Sequence, residues 1–247
     1  MTNMTVTALL TGRGNNTLKD KNILPVLGRP LLFYPAMAAK HSQYVANLYV
    51  SSDDDKILDA ANEIGYKKIR RPDEYALPTS QHVDAIIHAL DYMKQTDDLK
   101  PDILIVLMAN SGIIKTEWID SCIELIQNNP EVSSVVPVII DQDHHPYRAK
   151  QMNSDGFLTT FFDFSSQQIS TNRQELPVCY YLCHNFWALN ISKSIDLLPK
   201  GQQPWTFLGD KILPLVIDDS FDVHTEEDIT KTEKWLLEHK ISYPQSG

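Results

Sequence analysis

Residues 102–107 read DILIVL, and this stretch decides the fold class of the chain. It is almost continuously apolar, which is typical of a strand covered on both faces in a parallel sheet. Outward from it in both directions, short β-type runs alternate with longer runs of helical period through the first 140 residues. This alternation predicts βαβ units, and therefore an α/β protein with a mainly parallel open sheet and helices on both faces.

Hydrophobic spacing and turn residues locate the expected elements. Strands are predicted at 6–11, 47–51, 68–70, 102–107, 133–140 and 213–217, and helices at 30–41, 54–64, 80–94, 116–127 and 225–239. Pro30 stands where the first turn of a helix tolerates proline. Thr225, which is followed by three acidic residues, indicates a helix N-terminus.

The alternation stops at residue 141. Residues 141–176 are polar and lack a clear period, which is typical of an insertion that serves as a substrate flap or an oligomer arm. Regular signals resume at 178–189, and no repeat or second domain is visible. We therefore expect one domain over residues 1–247, with a small dimerisation insertion at 141–176.

Charge and composition exclude several classes of protein. The net charge of -10 argues against nucleic acid as a partner, because nucleic-acid binding needs a basic face. It leaves a nucleotide substrate open, since a few local cations can form a basic pocket. No apolar run is long enough to span a bilayer and no signal peptide is visible, so no membrane association is expected. The three cysteines, Cys122, Cys179 and Cys183, suggest free thiols in a cytoplasmic protein.

The loop after the first predicted strand reads TGRGNNTLKDKN at 11–22. In an open α/β sheet such a loop lies at the carboxyl edge, where ligands bind. Its cations Arg13, Lys19 and Lys21, together with two glycines, suit a triphosphate. Its spacing is neither that of a P-loop nor G-x-G-x-x-G. On this loop alone, a solvated basic loop is an equal alternative.

The second strand ends in SSDDD at 51–55. Carboxylates at this edge can bind a metal or a sugar. Asp53, Asp54 and Asp55 can equally cap the helix that follows, and taken alone the capping role is favoured.

In combination, these segments resemble a known family. R-G-x(n)-K-x-K-N, P-x-x-G-R-P-L, V-S-S-D-D and R-R-P-x-E-x-A, in this order, resemble the N-terminal half of the CMP-sialic acid synthetases. That family is the nonulosonate branch of the sugar-acid cytidylyltransferases. RQELPVCYYL and FDVHTEEDI resemble later segments of the same family, so that the resemblance covers residues 6–238. It implies a fold like that of the nucleotide-diphospho-sugar transferases and a homodimer.

The resemblance also implies a reaction. The anomeric hydroxyl of a 2-keto-3-deoxy sugar acid attacks the α-phosphorus of CTP, and pyrophosphate leaves while Mg²⁺ or Mn²⁺ neutralises charge. The residues fall into four sets. The resemblance assigns catalysis to Arg13, Lys21 and Asp222, and nucleotide binding to Arg13, Gly14, Asn15, Lys21, Asn22 and Arg71. It assigns binding of the sugar acid to Asn110, Ser111, Arg173 and Gln174. It assigns metal binding to Asp222 and His224.

The chain departs from the family pattern on the sugar and metal side. Met108 replaces a glutamine that reaches the sugar, Lys115 only loosely replaces an arginine, and CHN at 183–185 stands in place of N-G-A. His224 replaces the second metal-binding aspartate. It is either a ligand that suits Mn²⁺ better than Mg²⁺ or a structural residue before the last helix, and both readings stay open.

The departures leave alternatives to a nonulosonate cytidylyltransferase. One is a 3-deoxy-octulosonate cytidylyltransferase, which the missing Q-G-D-E-P motif disfavours. Another is a nucleotidyltransferase that acts on a sugar phosphate, and a third is a non-catalytic member that binds nucleotide or sugar. His82 and His88 are interpreted as structural, and Trp187 and Trp205 as packing residues rather than base-stacking platforms.

Overall fold

The structure is a computed structural model that describes residues 4–14, 17–164 and 168–243. Within these ranges the chain forms twelve strands and five α-helices. The strands are β1 (Val6–Thr11), β2 (Pro25–Val26), β3 (Arg29–Pro30), β4 (Val45–Ser52), β5 (Lys67–Arg70), β6 (Ile103–Met108), β7 (Ser134–Ile140), β8 (Lys150–Met152), β9 (Leu158–Thr160), β10 (Tyr180–Leu182), β11 (Phe186–Asn190) and β12 (Ile212–Val216). The helices are α1 (Phe33–Lys40), α2 (Asp55–Asn62), α3 (His82–Asp97), α4 (Thr116–Asn128) and α5 (Glu226–Glu238).

One mixed sheet organises the described residues. Its strand order is β10, β7, β11, β6, β1, β4, β5, with β12 paired to β7. β1 lies parallel to β4 and β6, β4 is parallel to β5, and β12 is parallel to β7. β11 runs antiparallel to β6 and β7, and β10 runs antiparallel to β7. The prediction of a mainly parallel sheet is confirmed.

The DILIVL stretch forms the buried centre of this sheet. Ile103, Ile105 and Leu107 belong to a core that also contains residues of α1, α2, α4 and α5. Leu104 and Val106 belong to a second core on the opposite face, together with residues of α3. Side chains alternate between the two faces of a strand, and both faces here are covered, so nearly every residue must be apolar. The predicted helices on both faces are confirmed.

The first helix begins later than predicted. It starts at Phe33, while Pro30 pairs with Pro25 in the β2–β3 hairpin. The turn between them holds Leu27 and Gly28 at φ of 46° and 77°. Two successive residues in the left-handed region are what a tight type I′ hairpin requires. The placement of Pro30 in a helical first turn was therefore wrong.

Residues 141–176 contribute no strand to the main sheet in the described ranges, and their role as an insertion stays a prediction. β8 and β9 form a separate two-stranded hairpin, with Met152 opposite Leu158. Both side chains are more than 70% exposed, at 72% and 73%. We call this hairpin, β8 with β9, the arm. Whether it joins a second copy of the chain stays a prediction.

No helix in the described ranges has both the length and the apolar character that crossing a membrane requires.

Candidate active site

A cavity of about 360 Å³ opens at the carboxyl edge of the sheet. Thr11 and Met108, the last residues of β1 and β6, line its floor, and Arg71 follows β5 at the same edge. The other lining residues come from two loops and the start of α3. They are Gly12, Arg13, Lys21, Asn22, Tyr75, Leu77, Pro78, Ser80, Gln81, His82, Ala85 and Asn110. Five predicted site residues, Arg13, Lys21, Asn22, Arg71 and Asn110, therefore meet at one cavity.

The loop after β1 is held in shape by its own side chains. Asn22 is 3% exposed, and its Nδ2 donates a hydrogen bond of 3.0 Å to the carbonyl oxygen of Arg13. Arg13 Nη1 reaches across the cavity mouth and donates to the carbonyl oxygen of Leu77 at 3.0 Å. Asn22 thus fixes the backbone from which the Arg13 guanidinium projects.

The backbone amide of Gly14 does not face the cavity as an open donor. It donates to Asp53 Oδ1 at 3.0 Å, and a Cβ at this position would lie 2.6 Å from Asp54 Oδ2. Gly14 is thus needed for a close approach of the loop to the start of α2, while its predicted nucleotide contact stays a prediction. Asn15 lies outside the described residues.

The three aspartates after β4 divide their roles. Asp54 caps α2, since its Oδ1 accepts the Lys56 amide at 2.8 Å. Asp55 forms an ion pair of 2.7 Å with Arg70, and Asp53 holds Gly14. The capping interpretation is confirmed for Asp54.

Arg71 is nearly buried, at 6% exposure. Its Nη2 donates to the carbonyl oxygen of Ser51 at 2.8 Å and its Nε donates to Ser51 Oγ at 3.2 Å. Burial lowers the pKa of Arg71 to about 10, with Arg13 acting in the same direction and Asp53 against it. Two of its donor groups hold β4, which leaves only part of the guanidinium for a ligand.

Lys21 lies beside the C-terminal segment that precedes α5. Its Nζ donates to the carbonyl oxygen of Val223 at 3.2 Å. Burial lowers the pKa of the Lys21 ammonium; Asp222 opposes this and Arg13 adds to it. Asp222 Oδ1 is buried and has no hydrogen-bond partner among the described residues. The site therefore holds a partly desolvated cation that contacts Val223, and the adjoining Asp222 has a carboxylate oxygen that lacks a hydrogen-bond partner among the described residues.

The residues predicted for the sugar side lie in three places: the cavity lining, the protein interior and the surface. Asn110 lines the cavity, and its carbonyl oxygen accepts the Val223 amide at 3.0 Å. Ser111 is fully buried and does not line the cavity, so it supports the loop rather than offering its hydroxyl. Arg173 and Gln174 are exposed on the insertion, where Arg173 pairs with Asp143, and neither lines the cavity. Within one chain these two residues are not brought to the site.

The metal prediction depends on Asp222 and His224, which flank the buried Val223. His224 is exposed, and its backbone amide donates to Asp228 Oδ2 at 3.0 Å. In the described part of the chain no three His, Cys, Asp or Glu side chains converge on a common point. Mg²⁺ in nucleotide sites is typically held by one or two carboxylates with phosphate oxygens and water. The partnerless Oδ1 of Asp222 fits that arrangement.

Lys115 has a role that the sequence did not indicate. Its Nζ lies 5.0 Å from the ring centroid of Trp118 and 5.5 Å from that of Trp235. This double cation–π contact joins α4 to α5. Lys115 therefore does not line the cavity in place of the family's arginine.

His82 and Tyr75 are lining residues that sequence analysis missed. His82 Nε2 lies 3.0 Å from Thr11 Oγ1, and its ring packs against Trp187 at 5.4 Å. Burial, aided by the charges of Arg71 and His184, lowers the pKa of His82 to about 4, so its imidazole is neutral at physiological pH. Tyr75 lies within the R-R-P-x-E-x-A segment and His82 follows it by six residues, and that proximity was the available signal.

The fold and the site together define a nucleotidyltransferase, since a cation-bearing loop lines a cavity at the carboxyl edge of the sheet. Asp222 does not line this cavity, but it adjoins Val223, whose carbonyl oxygen accepts from Lys21. A model of the cytidylyltransferase family matches residues 13–177, which is more than half of the chain. The chain belongs to the cytidylyltransferase family.

Full-length relatives and solved structures agree with this family. The chain is 26% identical to the 8-amino-3,8-dideoxy-manno-octulosonate cytidylyltransferase of Shewanella baltica OS185, over 94% of this chain and 99% of the relative. The enzyme of that name from Shewanella oneidensis MR-1 is 25% identical over the same shares.

Two solved structures show the same fold. CMP:2-keto-3-deoxy-manno-octonic acid synthetase complexed with CTP has a TM-score of 0.68 at 15% identity, covering 96% of this chain and 100% of that one. The 4-diphosphocytidyl-2C-methyl-D-erythritol synthase of Anaerococcus prevotii has a TM-score of 0.64 at 13% identity, covering 95% and 97%.

Proposed function

We propose that this cytidylyltransferase couples CTP to a 2-keto-3-deoxy sugar acid and releases pyrophosphate. The observation that carries the proposal is the contact of Lys21, which lines the cavity together with Arg13, with the segment that carries the partnerless oxygen of Asp222. The names of the full-length relatives support the class of acceptor.

The residues in and near the cavity have different roles in the proposed reaction. Arg13 and Lys21 bind the triphosphate and stay positioned as charge builds up on the leaving pyrophosphate. Asn110 and Asn22 hold the loops that set the distance between these cations and Asp222. Asp222 is the carboxylate that would hold Mg²⁺ or Mn²⁺, and such an ion supplies charge neutralisation and orients the phosphates when bound.

Two classes of sugar acid, which differ in their number of carbon atoms, are candidates for the acceptor. The segments VSSDD and RQELP favour a nine-carbon nonulosonate such as a sialic acid. The relatives that match over 94% of the chain carry names of an eight-carbon amino sugar acid. We favour the eight-carbon class. The match to these relatives includes all residues that could bind the acceptor, whereas the two short segments include only some of them.

Pyrophosphate release tests the function and the branch together. Purified protein with CTP and a divalent ion is incubated with a nine-carbon nonulosonate, with 3-deoxy-manno-octulosonate and with its 8-amino form. We expect release with CTP and an octulosonate; release with a sugar phosphate instead would contradict the proposal.

Nucleotide choice is tested by binding. CTP should raise the melting temperature more than ATP, GTP or UTP at equal concentration, because a ligand that binds only the native state stabilises it by mass action. Equal shifts for all four nucleotides would remove the cytidine preference. A shift with CTP but no release with any acid would indicate the non-catalytic alternative.

We further propose a homodimer and a cytoplasmic location. The arm exposes apolar side chains that a second copy of the chain would cover. The cytoplasmic location is supported by the free thiols of all three cysteines, which suit a reducing compartment.

A further inference from the structure

The cavity has charged and uncharged lining residues. Lys21 contacts Val223, Arg13 donates to the carbonyl oxygen of Leu77, and Tyr75 lies two residues before Leu77. Beyond Leu77 the lining residues Pro78, Ser80, Gln81 and Ala85 carry no charge. A triphosphate bound at the cations would therefore direct the rest of a nucleotide towards the uncharged wall around Tyr75.

Tyr75 is held in place by its surroundings. It ends a 3₁₀ turn, Asp73–Tyr75, in which its amide donates to the carbonyl oxygen of Pro72 at 3.0 Å. Its ring centroid lies 5.7 Å from that of His88 on α3, with 52° between the ring planes. The next residue, Ala76, is buried at 7% exposure. The ring is thus supported from α3 while it lines the cavity.

The Tyr75 side chain is also available for contact with a ligand. The Tyr75 hydroxyl makes no hydrogen bond to any residue in the described ranges, and the side chain is half-buried. Trp187, by contrast, is 2% exposed and packs beneath the cavity floor. Among the described lining residues Tyr75 is the only Phe, Tyr or Trp.

We propose that the base of the nucleotide stacks on the ring of Tyr75, which makes Tyr75 an affinity-determining residue for CTP. The inference rests on the proposed function and deepens it. Aromatic rings favour bases in general because every base has a π-face, so the contact strengthens binding without itself selecting cytosine.

The test separates the base from the phosphates. Isothermal titration calorimetry measures the dissociation constants of CTP and of ribose triphosphate, which lacks the base, for the full chain and for Tyr75→Leu. We expect Tyr75→Leu to bind CTP about tenfold more weakly, equal to ~1.4 kcal/mol, with ribose triphosphate unchanged. The matched control Tyr75→Phe keeps the ring and should stay within about twofold of the parent for both ligands.

Three outcomes overturn the inference. They are a Tyr75→Leu affinity for CTP equal to that of the parent, an equal weakening for both ligands, and a Tyr75→Phe loss as large as that of Tyr75→Leu. If Tyr75→Leu does not fold, Tyr75→Gln replaces it as a second variant without the aromatic ring. Failure of the proposed function looks different, because the parent protein itself would then not bind CTP.

Discussion

Lys21 differs from a solvated loop lysine in what surrounds its ammonium group. It contacts the carbonyl oxygen of Val223, 202 residues away in the chain, and burial lowers its pKa. A cation held in place before the reaction stabilises developing charge without reorganisation. Lys19, two residues earlier, is exposed and does not line the cavity. The two lysines thus provide a matched pair within one loop.

We predict that Lys21→Ala lowers kcat by about 10² to 10³, the typical cost of removing one positioned donor. Lys19→Ala should stay close to the parent. Pyrophosphate release at saturating CTP measures both, and circular dichroism checks the fold. Near-normal turnover in Lys21→Ala would show that this ammonium plays no part in the reaction.

We expect Asp222 to contribute more than His224 to the binding of a divalent ion. Asp222 has a buried oxygen without a partner, whereas His224 is exposed and its imidazole is a softer ligand than a carboxylate. We predict that activity requires a divalent ion and that Mn²⁺ supports it at lower concentration than Mg²⁺. Asp222→Ala should be more damaging than His224→Ala.

The variant His224→Asp tests the metal role directly. It should lower the Mg²⁺ concentration needed for half-maximal activity and tighten Mn²⁺ binding in calorimetric titrations with CTP present. Unchanged Mn²⁺ binding and an unchanged Mg²⁺ requirement would show that His224 does not ligate the ion. Full activity in a chelator would contradict the role of Asp222 as well.

At the scale of the element, α5 depends on its N-terminus. Thr225 and Asp228 form a capping box, in which each side chain accepts a backbone amide of the other residue. The helix begins four residues after Asp222, so the same cap also fixes the segment that carries this carboxylate. The cap therefore links helix stability to the geometry of the site.

We predict that Thr225→Ala lowers the free energy of unfolding by ~1 kcal/mol, which is typical of a lost N-cap. Thr230→Ala, an exposed substitution within α5, serves as the control and should change stability by less. Urea unfolding followed by circular dichroism measures both. Equal effects of the two substitutions would show that the capping box adds nothing beyond helix propensity.

At the scale of the whole molecule, the arm carries apolar side chains that its own chain leaves exposed. Met152 and Leu158 form a cross-strand pair on one face of the hairpin, and both are exposed. Thr159 points to the other face, because side chains alternate along a strand. Arg173 and Gln174 lie on the same insertion, which explains why one chain does not bring them to its own cavity.

We predict a homodimer that the double variant Met152→Lys with Leu158→Lys converts to monomer, because two buried charges at an apolar contact are unfavourable. Light scattering at micromolar concentration should change from twice 28.1 kDa to 28.1 kDa. Thr159→Lys should remain dimeric. A parent protein that already has the mass of one chain would contradict the prediction.

The sequence by itself determined the main strands and helices and their layering, but not the β2–β3 hairpin or the start of α1. A run such as DILIVL must be covered on both faces wherever it folds, and the spacing of apolar residues along α3 or α5 requires a helix. Caps such as Asp54 and Thr225 are equally local, since a side chain bonds an amide two or three residues on. These features depend on neighbours along the chain, which a sequence displays directly.

The tertiary structure alone decided which polar residues meet. Val223 lies against Lys21 only because two distant segments reach the same edge of the sheet, and no periodicity encodes that contact. Residue type likewise did not indicate that Tyr75 and His82 line the cavity, that Arg71 is engaged by Ser51, or that Lys115 lies between two tryptophans. The physical reason is that helix and strand periods reflect short-range burial, whereas a site depends on long-range distances that only the packed chain sets.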